Sequence, residues 1–203
     1  MRGILLIFIA ALLSTTCHSS GAAPPQPREG DIIFQTSRSS QSQAIQLATK
    51  SKYSHVGILF AQNGKWYVHE AARRVQVTPL QEWIERGEAG HYVIKRLKNA
   101  DAALTAETLA RMKRESGRFA GKAYDLAFEW SDEKLYCSEL VWKIYQRGAG
   151  IEVGKLQKLG TFDLSHAAVK AKLRERYGQH IPMNETVISP AAIFASEKLE
   201  TVE

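Results

Sequence analysis

The chain has 203 residues, 44% of them apolar and 24% charged, with a formal net charge of +6. That length buries one good core and predicts one domain, and the composition excludes a disordered chain and a polytopic membrane protein. The Lys and Arg residues are scattered in runs no longer than two, which excludes a nucleic-acid footprint and leaves at most a peripheral attraction to anionic membrane surfaces.

Residues 1–23 read as a secretory leader. Arg2 supplies the positive start, Ile4 to Leu13 is an apolar stretch too short to span a bilayer, and Gly21-Ala22-Ala23 before Pro24 offers a cleavage site. Export to the bacterial periplasm is the expectation. Two other fates stay open: lipidation of Cys17, which follows the apolar stretch but lacks a leucine three residues before it, and retention as an anchor. If the leader is removed, Cys137 is the sole remaining cysteine, so neither an internal disulfide nor a CxxC metal site is expected.

Residues 24–29 are a Pro-rich linker, and a single domain spans 30–203. Gly30-Asp31 opens the apolar burst Ile32-Ile33-Phe34, a first buried strand. The polar run Ser37 to Ser42 leads into a helix over roughly 41–50. Next come two β-rich runs, 53–60 and 65–70, separated by Asn63-Gly64, which predicts a hairpin. A two-residue loop puts Gly57 opposite Glu70, and a four-residue loop puts His55 opposite Glu70. Either way His55 and Glu70 share a face and His69 points to the other. A histidine beside a carboxylate is the base and orienter of a nucleophilic triad. Gly57 either keeps the surface near His55 open or relieves crowding.

Residues 78–88 predict a short helix carrying Leu80, Trp83 and Ile84, His91 to Leu97 a strand, and 102–119 a longer helix. Gly121 to Asp125 is a loop. Tyr136-Cys137-Ser138-Glu139 then opens a helix whose Leu140, Val141, Ile144 and Tyr145 form one buried face, ended by Gly148-Ala149-Gly150. A thiol on the first turn meets unpaired backbone N–H groups and the positive end of the helix dipole, and both favour the nucleophilic thiolate. Another helix is expected over 165–177, and Ser189-Pro190 caps a final short one. His91, His166 and His180 are assigned to the surface.

Gly121-Lys122-Ala123-Tyr124 with Tyr136-Cys137-Ser138-Glu139-Leu140-Val141 resembles the nucleophile segment of NlpC-type cysteine hydrolases, and Ser54-His55-Val56-Gly57 with His69-Glu70 resembles their histidine hairpin. The order is reversed, as in the circularly permuted papain-like branch of YiiX type, over residues 29–196. The resemblance implies an α+β fold with an antiparallel sheet or barrel packed against helices. It also implies a cysteine hydrolase of amide or ester bonds in a cell-envelope peptide or lipid, needing no cofactor. Cys137 would be the nucleophile, His55 the general base and acid, Glu70 its orienter, and Tyr124 a residue lining the site or assisting the oxyanion. Tyr136 and Glu139 replace the Asp and Gly usual in peptidoglycan-cleaving members. Two alternatives stand beside this: thiol-dependent acyl transfer from a lipid, and an envelope binding module with an inert cysteine. Glu70→Gln is expected to lower turnover and leave the fold intact.

Overall fold

Ile32-Ile33-Phe34 lies in β1 (Ile32–Ser37), an inner strand paired on both sides and fully buried over those three residues. The computed structural model describes residues 26–39 and 41–202, so the expected leader and Cys17 lie outside the described residues. After β1 come α1 (Ser42–Thr49), β2 (His55–Gln62), β3 (Lys65–Ala71), β4 (Val75–Pro79), α2 (Leu80–Glu85) and β5 (Gly87–Leu97). Then follow α3 (Ala100–Ala103), α4 (Ala106–Phe119), α5 (Cys137–Ala149), β6 (Gln157–Lys158), α6 (Ala167–Tyr177), β7 (Thr186–Val187), α7 (Pro190–Phe194) and β8 (Leu199–Thr201). Six strands form one antiparallel sheet in the order β4-β3-β2-β1-β5-β8, and β6 pairs with β7.

The β2–β3 hairpin takes the two-residue loop. Gln62 faces Lys65 and Ile58 faces His69, with Asn63 at φ 50° and Gly64 at φ 74°. Two positive φ values in succession suit the twist of paired strands and explain Asn-Gly there. A Cβ at Gly57 would lie 2.3 Å from Val68 Cγ1 and 3.0 Å from the His69 carbonyl oxygen. Relief of crowding between strands is therefore the role of this glycine.

The larger core joins Phe34, Val56, Ile58 and Phe60 of the sheet to Leu140, Val141, Ile144 and Tyr145 of α5. A smaller one, with Ile33, Leu59, Val68 and Ile94, is closed by Trp83 of α2. A third gathers Ala44, Leu159, Val169 and Leu173 between α1 and α6. A buried side chain of this size contributes about 1.5–3 kcal/mol.

Some elements differ from expectation. Val75–Pro79 is a strand where a helix start was expected from Thr78, because its backbone pairs with β3, Glu70 opposite Gln76. The helix over 102–119 is two: α3 stops at Ala103, and Thr105 caps α4 by accepting from the Thr108 N–H. Most informative is α5, expected to bury one face. Ser138, Glu139, Trp142 and Lys143 are buried too. A charged helix can be enclosed this way because Glu139 and Lys143, one turn apart, pair at 2.7 Å. At the helix end, Gly150 adopts φ 70° as the C-cap, and Ser189 caps α7 by accepting from the Ala192 N–H at 3.0 Å.

Candidate active site

Cys137 is the first residue of α5, with extended Tyr136 as N-cap. Its neighbours in sequence anchor it. Ser138 Oγ donates to the Ile188 carbonyl at 2.8 Å, and the Ile188 N–H donates to Tyr136 Oη at 3.1 Å. The cysteine is thus held at a helix N-terminus, where orphan N–H groups and the dipole favour negative charge.

His55 begins β2, and its Nε2 donates to Glu70 Oε2 at 2.6 Å. The Cys137 side chain lies close enough to the ring to act on its proton, and Nδ1 is the nitrogen left to face it. Burial alone would lower the His55 pKa. The neighbouring Cys137 and the hydrogen bond to Glu70 override burial and push it up to about 10. The ring also faces Trp83, with centroids 5.9 Å apart and planes inclined by 26°.

Glu70 has no exposed surface. Oε2 accepts from His55 and from Trp83 Nε1 at 2.9 Å, while Oε1 accepts from Thr78 Oγ1 at 2.6 Å, Gln76 Nε2 at 3.1 Å and Arg86. Burial would raise its pKa, but His55 first, then Thr78 and Arg86, hold it down at about 2. Five donors fix this carboxylate as an anion and fix the imidazole against it.

Tyr124 lines the same cavity as Cys137 and stands close enough to feel it, and Gln41 Nε2 donates to Tyr124 Oη at 3.2 Å. Burial and the nearby Cys137 raise the Tyr124 pKa well above its ordinary value, so its hydroxyl stays protonated. His69, on the opposite side of β3, hydrogen-bonds Ser116 Oγ at 2.7 Å, and burial together with Lys113 pushes its pKa down to about 4. His91, His166 and His180 are exposed. His166 does have a carboxylate near it, Asp163 at 3.8 Å.

The structure therefore brings Cys137, His55, Glu70 and Tyr124 together. Sequence reading passed over Gln41, Gln76, Thr78 and Arg86, and took Trp83 only as a packed residue. The alternation Val75-Gln76-Val77-Thr78 was the available signal, since a strand there puts Gln76 and Thr78 on one face.

A family model described as "Permuted papain-like amidase enzyme, YaeF/YiiX, C92 family" matches residues 26–203. The uncharacterized protein YiiX of Escherichia coli strain K12 is 52% identical over 177 residues, covering 87% of this chain and 86% of that protein. A crystal structure of YiiX from Escherichia coli O157:H7, described as a metalloprotein, is 53% identical and superimposes with a TM-score of 0.83 over 88% of this chain and 97% of that one. Among the described residues of this chain, no three His, Cys, Asp or Glu side chains cluster as a metal site would. Both Glu70 oxygens are occupied by N–H and O–H donors, including a guanidinium. The residues around the thiol do not fit a metal ion.

Proposed function

As the chain belongs to the permuted papain-like amidase family, we propose that it is a cysteine hydrolase that opens amide or ester bonds of an envelope peptide or lipid with Cys137, His55 and Glu70. The observation that carries this is the Cys137 thiol on the first turn of α5, close enough to His55 to raise its pKa, with that histidine's Nε2 on a fully buried carboxylate. The Cys137 thiolate forms a bond to the carbonyl carbon, and the carbonyl electron pair moves onto oxygen. The Cys137 backbone N–H meets that oxyanion, with Tyr124 Oη or Gln41 Nε2 as second donor. The intermediate collapses, the C–N or C–O bond breaks, and the leaving group takes the proton of the His55 imidazolium. Water, deprotonated by His55, then cleaves the thioester and regenerates the thiolate–imidazolium pair. Glu70 stays ionised throughout and orients the ring. In this reading the protein works outside the cytoplasm, after cleavage near Ala23 or lipidation at Cys17.

The test is turnover of activated acyl esters and amides by wild type, Cys137→Ala and His55→Ala, with the iodoacetamide reactivity of Cys137 followed against pH. Cys137→Ala is expected to have no turnover. Alkylation of Cys137 is expected to be slower in His55→Ala than in wild type. Turnover by the Cys137→Ala protein would sink the proposal, and an unreactive thiol with retained ligand binding would favour a binding module. Passage of the acyl group to an amine or alcohol in place of water, seen in product masses, would make it a transferase.

A further inference from the structure

Two short strands stand apart from the main sheet, and β6 pairs only with β7. The Leu159 N–H donates to the Glu185 carbonyl at 3.0 Å, so alternation turns the backbone of Lys158 and Leu156 away from β7. Among the described residues, the Leu156 N–H and carbonyl and the Lys158 N–H have no backbone partner on that outer edge. The Lys158 carbonyl accepts from Thr161 Oγ1 at 2.7 Å. An open edge of this kind is a template for an added strand.

The edge borders an open trough of about 1490 Å³, larger than the roughly 300–1,000 Å³ of small-molecule sites. The consecutive residues Gly154 to Lys158 all line it. A strand showing the trough one face would contribute only alternate residues, so it is the edge that meets this space. The trough is continuous with the candidate active site. Ala48, Thr49, Phe162 and Ser189 line both it and the space around Cys137.

Its charges are of both signs. Lys50 and Asp163 face each other at 3.6 Å. Lys155, Lys158, Lys198, Glu152 and Glu197 also line the trough, and among the described residues none of them has an opposite charge within ion-pair distance. A hydrocarbon chain would strip water from these groups without replacing it, and a polyanion would meet the two glutamates. A peptide carrying side chains of both signs suits them, and its backbone suits the β6 edge.

Resting on the hydrolase reading above, we infer that this trough is the docking groove for an extended peptide segment of the substrate. The segment adds as a third strand to the free edge of β6, with its carboxylates on the lysines and its ammonium groups on Glu152 and Glu197. The bond to be cut is carried past Ser189 to Cys137.

The experiment is calorimetric titration of the full chain as Cys137→Ala, which binds without turnover. The probe is the acetylated hexapeptide amide Glu-Thr-Lys-Thr-Glu-Thr. Two versions are N-methylated, one on each alternate set of residues, so that each blocks one edge of the peptide. An uncharged version has Gln for every Glu and Lys, and an oligogalacturonate of similar length stands for an acidic glycan. One N-methylated version is expected to lose at least tenfold in affinity and the other to match the parent, since only one edge pairs with β6. Lys155→Glu is expected to weaken the charged peptide about fivefold and leave the uncharged one unchanged. Ala195→Trp, which fills the trough from an exposed position, weakens both. Equal affinities for the two N-methylated versions, or oligogalacturonate bound as tightly as the charged peptide, overturns the inference. Edge-selective binding without any Cys137-dependent turnover in wild type would retain the groove and remove the hydrolase. Turnover of small activated esters with no peptide bound would do the reverse.

Discussion

Two glutamates with no exposed surface stand near Cys137, and they are held in opposite ways. Glu70 receives five donors and is kept at a pKa of about 2. Glu139, two residues after Cys137, has the Lys143 ammonium at 2.7 Å but, among the described residues, no hydrogen-bond donor aimed at either oxygen, and burial pushes its pKa up to about 7. Equal burial thus gives an anion fixed over the whole physiological range in one place and a carboxyl that titrates near neutrality in the other. What decides is the number of donors aimed at the carboxylate, since each replaces part of the hydration that burial removes. The role proposed for Glu70, orienting His55, needs the first arrangement. A residue that only lets a charged helix be enclosed can work with the second.

The comparison breaks most visibly at Glu70. Glu70→Gln puts an amide N–H₂ against donors whichever way it turns, because both oxygens already accept from N–H and O–H groups. The expected loss is about 3 kcal/mol in urea unfolding, along with reduced turnover. The fold survives with a smaller margin, and a loss below about 1 kcal/mol would mean that these hydrogen bonds count for little.

The pH profile sharpens the same contrast. The folded pKa of His55 is raised from 6.5 to about 10, so its contribution is complete below pH 6.5 and fades as pH rises through 10. That of Glu70 is lowered from 4.5 to about 2, so its contribution is complete above pH 4.5 and fades as pH falls through 2. Both are fully present between pH 4.5 and 6.5. Cys137→Ala removes the neighbour that does most to raise the His55 pKa. The decline in stability between pH 6.5 and 10 should then be shallower than in wild type, as measured by unfolding at several pH values. An unchanged slope would show that the thiol does not hold the imidazolium.

Arg86 gives a smaller effect. It is 43% exposed and one of five donors, so Arg86→Ala should cost about 1 kcal/mol or less and leave His55 on Glu70. The smallest change is expected at Glu139. Its folded pKa is raised, so wild-type stability declines as pH rises from 4.5 through 7, where the native state holds the extra proton. Glu139→Gln removes that dependence and stays within about 1 kcal/mol of wild type at pH 8, since Lys143 keeps Asp132 at 2.8 Å. A loss like that of Glu70→Gln would erase the distinction between the two sites.

Much of this arrangement was legible in the chain. Asn63-Gly64 predicts the hairpin, and because strand side chains alternate, an even-length turn puts His55 and Glu70 on one face whichever length it takes. The apolar spacing after Cys137 predicts a helix and places the thiol on its first turn. These inferences are local: each depends on a repeat or a turn a few residues long. The donors that keep Glu70 ionised come from β4 and α2, up to 16 residues away, and the Arg176 guanidinium meets Phe128 from a helix 48 positions later. Neither follows from periodicity, which says which face a side chain occupies but not what is packed against it. Only the folding of distant segments onto the thiol decided whether each buried charge would find enough partners, and buried charges are settled by the partners within a few ångströms.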